Sequence, residues 1–314
     1  MCIRDRDTLV KHYEYLNEKF YKKVGVNRSI DTYKRYCVAL NHLKNFLQKK
    51  YKVNDMSFQA LNPTFVKAFD LYLRADLKMS CHTIVSIVAR LHLVIKSAID
   101  NGLLRQDPFM DYKYITKPLV ARCLSEKEFN LILKTHLPKD NMNLVRDVFV
   151  FSCMTGLAFS DLRNLTLGHL RQAEDGVWWI YTARKKTGTP CHIPLMELPL
   201  QLIKKYDGIS DKGRLFPMLS CSKTNINLKK IAKTCGIDRR ITFHMARHTY
   251  ASLITLSQGV PMDTVRELLG HRDWRSTRIY AHLTQEKIGA DMGDLQSRIG
   301  EKFILSDNMK KEEL

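Results

Sequence analysis

The sequence predicts a mainly α-helical protein of two domains, with a small antiparallel β-sheet in the second. Three observations predict it. Apolar residues recur every three to four positions in successive runs between Leu9 and Gly102. A capping box at Ser125 and Glu128 opens a second helical series. Only between Val177 and Pro194 does the pattern turn aromatic and β-branched. A chain of 314 residues is also too long for one typical domain and suits two.

The first run carries Leu9, Tyr13, Leu16 and Phe20 on one helical face. The second starts after Ser29 with Tyr33, Cys37, Leu40, Leu43 and Leu47. The third has Asn62 as N-cap and Pro63 at the first helical position, followed by Val66, Phe69 and Leu73. The fourth runs from Ser80 through Ile84, Ile87, Leu91, Val94 and Ala98 to Gly102, and Asp107-Pro108 then breaks the pattern. Residues 1–111 thus read as a compact helical domain. Tyr112 to Leu124 has no clear period and carries Lys113, Lys117 and Arg122, so residues 112–124 read as a basic linker.

The second domain spans 125–300, with 301–314 as a C-terminal tail whose polar last residues, Lys310 to Leu314, read as frayed. After the capped helix, another covers Leu144 to Thr155 and stops at Gly156. Val177 to Tyr181 and Cys191 to Pro194 read as the arms of a β-hairpin, with Lys186 near its tip. Helices resume to the end. Met1 to Arg6 match no helix well and look like the product of a truncated or misread start.

The net charge of +19 is shared: 21 basic against 11 acidic residues in 1–117, and 30 against 21 in 118–314. Charge on both halves argues for a polyanion gripped by both, and against a single basic tail. The longest apolar stretch, Val148 to Phe159, is broken by Ser152, Thr155 and Gly156, well short of the ~20 residues that span a bilayer. No signal peptide opens the chain. None of the eight cysteines lies two to four residues from another, so no metal-knuckle spacing exists. The expectation is a soluble, cytoplasmic protein with no membrane partner, no metal and no cofactor.

Four clusters carry chemistry. His244-Met245-Ala246-Arg247-His248 follows Thr242 as N-cap, and His244 and Arg247 share a helix face. Leu268-Leu269-Gly270-His271 ends a helix at its glycine. Tyr280, in Ile279-Tyr280-Ala281-His282, stands nine residues beyond His271. Lys186 belongs to the hairpin turn. Alone, each has an ordinary reading as a solvent-facing or core residue. Order and spacing together say more.

In that order the set resembles the tyrosine recombinase, or phage integrase, family over residues 125–285. Relatives carry a hairpin lysine, a His-x-x-Arg pair, a Gly-His and a tyrosine nine residues later. The Ile193-Pro194-Leu195 element, eight residues past Lys186 at its proline, also follows the family's hairpin. The helical N-terminal domain is similar to the family's core-binding domain. One departure stands out: Thr155 to Leu162 matches the first catalytic box, with Ala158 where most members have arginine. This is the degenerate position of a mobile-element branch. Arg146, Arg163 and Arg184 are the candidates to cover it. Asp161, by resemblance, supports the site.

The resemblance implies a site-specific recombinase that cleaves and rejoins DNA through a 3′-phosphotyrosine at Tyr280, for integration and excision of a mobile element. Arg247 offers a charged fork that fits phosphate oxygens. His244 and His271 donate further hydrogen bonds, and His244 assists removal of the phenolic proton. Lys186 protonates the leaving 5′-oxygen. The covalent link conserves the energy of the broken bond, so neither ATP nor metal is required. An uncompensated Ala158 would cost about 2.7–4 kcal/mol of barrier.

Implied partners are double-stranded DNA held as in a C-shaped clamp, and a homotetramer on two DNA sites. Accessory DNA-bending proteins are a third class. Lys34, Arg35, Lys78 and Arg90 are the backbone-gripping candidates, chosen by position, and Phe303 to Leu305 are candidates for docking on a neighbouring protomer. Rival readings are weaker. Met245 replaces the glutamate that a His-Glu-x-x-His zinc protease needs. A type IB topoisomerase shares the chemistry but acts alone. A DNA-binding regulator descended from a recombinase has only Ala158 in its favour.

Overall fold

The computed structural model describes residues 8–115, 122–210, 213–280 and 285–299. It divides into two compact units, 1–118 and 119–314. Lys117 and Phe303 to Leu305 lie outside the described residues, as do the rest of the tail and the first seven residues.

In the first unit, local sequence sets three of the four α-helix starts. Ser29, Asn62 and Ser80 accept the backbone N–H three residues on, opening α2 (Ile30–Phe46), α3 (Pro63–Leu71) and α4 (Cys81–Asp100). Helix α1 (Leu9–Tyr21) has Thr8 at its N-cap with no side-chain bond. Asp55 substitutes from afar, its Oδ1 accepting from Val10 N at 2.7 Å. Single π turns extend α2 and α3, at Leu47–Tyr51 and Tyr72–Asp76. The core is aromatic, centred on Phe46, whose ring meets Phe65, Phe69 and Tyr72 within 5.2–5.5 Å. Helix α4 is long and apolar enough to pass for a membrane span by composition, yet Ile84, Ile87, Val88, Leu91, Val94 and Ile95 bury one face of it in this core.

In the second unit the capping box forms as expected, at the start of α5 (Glu126–Lys134). Helix α6 (Asp140–Thr155) begins a turn earlier than the sequence pattern suggested and is buried almost throughout. It ends at Gly156, whose φ of +69° is left-handed. The short α7 (Phe159–Leu162) follows, with Ala158 as its N-cap. The sheet has three antiparallel strands, β1 (Leu170–Gln172), β2 (Trp178–Ala183) and β3 (Pro190–Pro194), in the order β1-β2-β3. The hairpin of β2 and β3 was legible. Strand β1 was not, because its three residues are too few to show a period.

Ile180 and Ile193, paired across the hairpin, face the core beside α6. Helices α8 (Glu197–Lys205), α9 (Cys221–Thr234) and α10 (Phe243–Thr249) follow, and α10 runs on through a π turn, Tyr250–Thr255. Helices α11 (Met262–Leu269), α12 (Arg275–Arg278) and α13 (Gln285–Ile299) complete the described chain.

Candidate active site

The site is built where several element ends meet. Arg247, on α10, is 3% exposed. Its guanidinium donates to Gly156 O, at the end of α6, from Nη1 at 2.7 Å, and to Leu269 O, at the end of α11, from Nη2. Both acceptors belong to a helix's last turn, where carbonyls lack intrahelical partners. Gly156 is required by close packing as well as by its φ, since a Cβ there would meet Tyr250 Cδ1 at 2.5 Å.

Arg184, at the end of β2, joins the cluster. Its Nη1 donates to the same Leu269 oxygen at 2.8 Å. Its Nε lies 3.0 Å from Asp161 Oδ2, an ion pair off the line of a hydrogen bond. Asp161 Oδ1 accepts from Lys185 N at 3.0 Å and so fixes the hairpin's first turn residue. A Cβ on Gly270 would lie 2.9 Å from Arg184 Cγ and collide with Cys191 Sγ. A bare backbone at Gly270 is what lets the arginine stem pass.

The three arginines that were candidates to cover Ala158 lie in different surroundings. Arg146 bonds Asp147 at 2.9 Å, away from the site. Arg163 is exposed at the end of α7. Arg184 alone of the three is held beside Arg247, and through Asp161 it reaches the α7 turn that Ala158 opens.

The histidines and tyrosine complete the group. Tyr280 follows α12 and is 7% exposed. Its hydroxyl lies 2.9 Å from His248 Nδ1, and its ring stacks parallel to His271 at 6.5 Å. His271 Nδ1 bonds Thr277 Oγ1 at 2.9 Å. When that hydroxyl is the donor, Nε2 carries the proton and is a donor in its turn. His244 is exposed at the rim, with the edge of its ring against His248 at 4.6 Å. Lys186 is exposed in the turn and close enough for its charge to act on His244. Thr242 stands at the N-cap of α10, although its side chain makes no cap bond.

The electrostatics follow from burial among cations. Arg247's pKa falls to about 10, first through burial and then through Arg184. Burial, then Arg247 and Arg184, bring His271 down to about 3. Burial, then His244 and Arg247, bring His248 down to about 4. His244 is lowered by the packing around it and by Arg247, Arg184 and Lys186. Burial pushes Tyr280 up, while Arg247 and Arg184 pull it back. The imidazoles are therefore neutral at pH 7, in a pocket of excess positive charge.

His248 was present in the sequence motif but had been given only an ordinary role. Its spacing of four from His244 places both on one face, which is the signal that could have found it. In the first unit, Arg35 and Arg90 line one groove with Val38, His42 and His82. Arg90 is partly occupied: Nη1 donates to Ser86, and the guanidinium lies 5.5 Å from the Tyr36 ring. Lys34 is exposed on α2, and Lys78 is exposed in a left-handed turn, φ +48°.

Comparison with known proteins gives the same picture. Residues 122–287 match the model of the phage integrase family, and residues 8–114 match that of the phage integrase SAM-like domain. Tyrosine recombinase XerD of Halalkalibacterium halodurans is 24% identical over 184 residues, 54% of this chain and 60% of that protein. The chain thus spans less than two thirds of that relative's length. Two solved structures share the fold. The Tn1549 transposon integrase in complex with a circular intermediate DNA superposes with a TM-score of 0.69 at 17% identity, over 92% of this chain and 99% of that one. A lambda integrase tetramer bound to a Holliday junction superposes at 0.70 and 15%, over 88% and 79%.

Proposed function

The chain belongs to the phage integrase family, and from that premise we propose that it cuts and rejoins duplex DNA through a 3′-phosphotyrosine at Tyr280. One observation carries the reading most. A buried phenol sits among two arginines that share a single carbonyl, with three neutral histidines around it. Cations that outnumber nearby carboxylates favour an anion, and a phosphodiester has the oxygens that two guanidinium forks can take. Arg247 and Arg184 would hold the non-bridging oxygens, with Arg184 covering the position of Ala158. His271 and His244 would add donors. Lys186, on its exposed turn, would protonate the leaving 5′-oxygen. Asp161 would position Arg184 and the turn.

Tyr280 lies beside Arg247 of its own chain, so each protomer would cleave with its own tyrosine. The partner is double-stranded DNA, gripped in part by Arg35 and Arg90, with Lys34 and Lys78 as further contacts. The transposon integrase bound to circular-intermediate DNA supports integration and excision of a mobile element. The tetrameric lambda enzyme supports four protomers on two sites.

A nicked duplex that traps the cleaved state tests the reading. The natural protein should form a denaturant-resistant DNA adduct, and Tyr280→Phe should form none. DNA binding without an adduct from the natural protein would instead indicate a regulator.

A further inference from the structure

A phenol cannot attack phosphorus and keep its proton, and the family reading gave that proton to His244. The geometry points elsewhere. The imidazole touching the Tyr280 oxygen is His248, with Nδ1 at 2.9 Å. His244 stands behind it, ring against ring, with centroids 4.6 Å apart. We propose that His248 Nδ1 takes the Tyr280 proton as the phenolic oxygen bonds to phosphorus. The proposal rests on the reading of Tyr280 as nucleophile.

The step balances. The Oη–H bond breaks as Nδ1–H forms. The Oη–P bond forms as P–O5′ breaks. The electron pair leaves with O5′, which gains a proton from the acid assigned to Lys186. In religation the 5′-hydroxyl proton returns to that acid, and His248 returns its own to the phenol.

Position favours His248. It follows Arg247, whose fork is pinned on both sides. It precedes Thr249, whose hydroxyl donates to Met245 O at 2.9 Å and accepts from Leu124 N at 3.0 Å. The ring is thus set on a helix turn that cannot slide. A neutral imidazole with its proton on Nε2 offers its one lone pair at Nδ1, toward the phenol.

The charges around the pair fix when transfer occurs. Facing it are His244 and Arg247 on α10, Arg184 from the hairpin, His271 beyond α11, and Cys123 ahead of α5, while Lys186 acts on His244 behind it. Without DNA, burial keeps the proton on the phenol against the pull of Arg247 and Arg184, while burial, His244 and Arg247 together keep the imidazole unprotonated. A phosphodiester brings a negative charge that offsets the field on His248. Bonding of Oη to phosphorus then acidifies the proton, so transfer and attack coincide.

The test uses a nicked duplex carrying the sequence enriched from random DNA on the Tyr280→Phe protein. His248→Asn puts an amide near the Nδ1 position, able to hydrogen-bond the phenol but unable to carry its proton. Single-turnover adduct formation should slow by about 10²-fold, with affinity for the same duplex unchanged. The variant's rate should also rise about tenfold per pH unit while the natural rate stays level, and added imidazole should restore His248→Ala. A His248→Asn rate within about threefold of the natural one at every pH overturns the proposal and leaves the nucleophile standing. Absence of any Tyr280 adduct from the natural protein overturns both.

Discussion

Two buried charge clusters of the second unit use the same residue types and balance them differently. Around Asp147, on α6, one carboxylate meets Arg146 at 2.9 Å, Lys205 at 2.6 Å and the Tyr206 hydroxyl at 2.9 Å. Each oxygen is satisfied, and the cluster ties α6 to the end of α8. Around Arg247, two guanidinium groups converge on one peptide carbonyl, and among the described residues Asp161 is the carboxylate paired with them. The first cluster is complete as it stands. The second is stable only because helix-end carbonyls absorb part of the charge, and it is left able to take up an anion. Charge imbalance in a buried place, more than burial of charge itself, separates a site from a strut.

The comparison can be broken at the heaviest point first. Arg247→Ala should lower adduct yield by about 10³-fold or more, since it removes a two-pronged donor. Next, Arg184→Ala should slow adduct formation about 10²–10³-fold, the usual loss for one oxyanion donor. Ala158→Arg in that background should recover at least about tenfold of it, as the vacated position is refilled. A rate unaffected by Arg184→Ala would mean that the second arginine belongs to the strut class.

The pH dependence of stability is the third lever. His271 at about 3 and His248 at about 4, together with the lowered His244, lie below the unfolded value of ~6.5. Depressed histidine pKa values mean that the unfolded chain binds more protons. Stability is therefore full above pH ~6.5 and falls as pH drops toward the folded values, on the order of a few kcal/mol. Denaturant melts at pH 7 and 5 should show this, and His271→Gln should flatten the slope. A slope that the substitution leaves intact would place the proton uptake elsewhere.

Smallest is the strut. Asp147→Asn should cost about 1–3 kcal/mol in the same melts, discounted because Lys205 is half-exposed and its charge is screened. Its adduct rate should stay within about threefold of the natural one.

Much of this was legible beforehand for physical reasons that differ by residue. The helix starts at Ser29, Asn62, Ser80 and Ser125 are local, one side chain and one N–H three residues away, so sequence suffices. The grouping of Arg247, His271 and Tyr280 was expected from motif order; the rings of His271 and Tyr280 stack, and the charge of Arg247 acts on both. Arg184 could not be chosen over Arg146 and Arg163, because its partners Leu269 and Asp161 lie 85 residues after it and 23 before it. His248 was overlooked because its spacing of four from His244 marks a shared helix face and not that Nδ1 meets a tyrosine 32 residues on. Asp55 as a distant cap for α1 was equally unreadable, being 45 residues from Val10.

The oxygen of Leu269 leads somewhere that side-chain replacement cannot follow. A main-chain atom sets the separation of two guanidinium groups, so residue 269 can change its apolar side chain while that gauge survives. Alanine scanning would report lost packing, since Leu269 is fully buried, and not the part played by its oxygen. An ester at the 269–270 linkage, which weakens that oxygen as an acceptor without touching any side chain, would let the arginines drift apart. A single inserted residue within α11 would rotate the oxygen away from both at once.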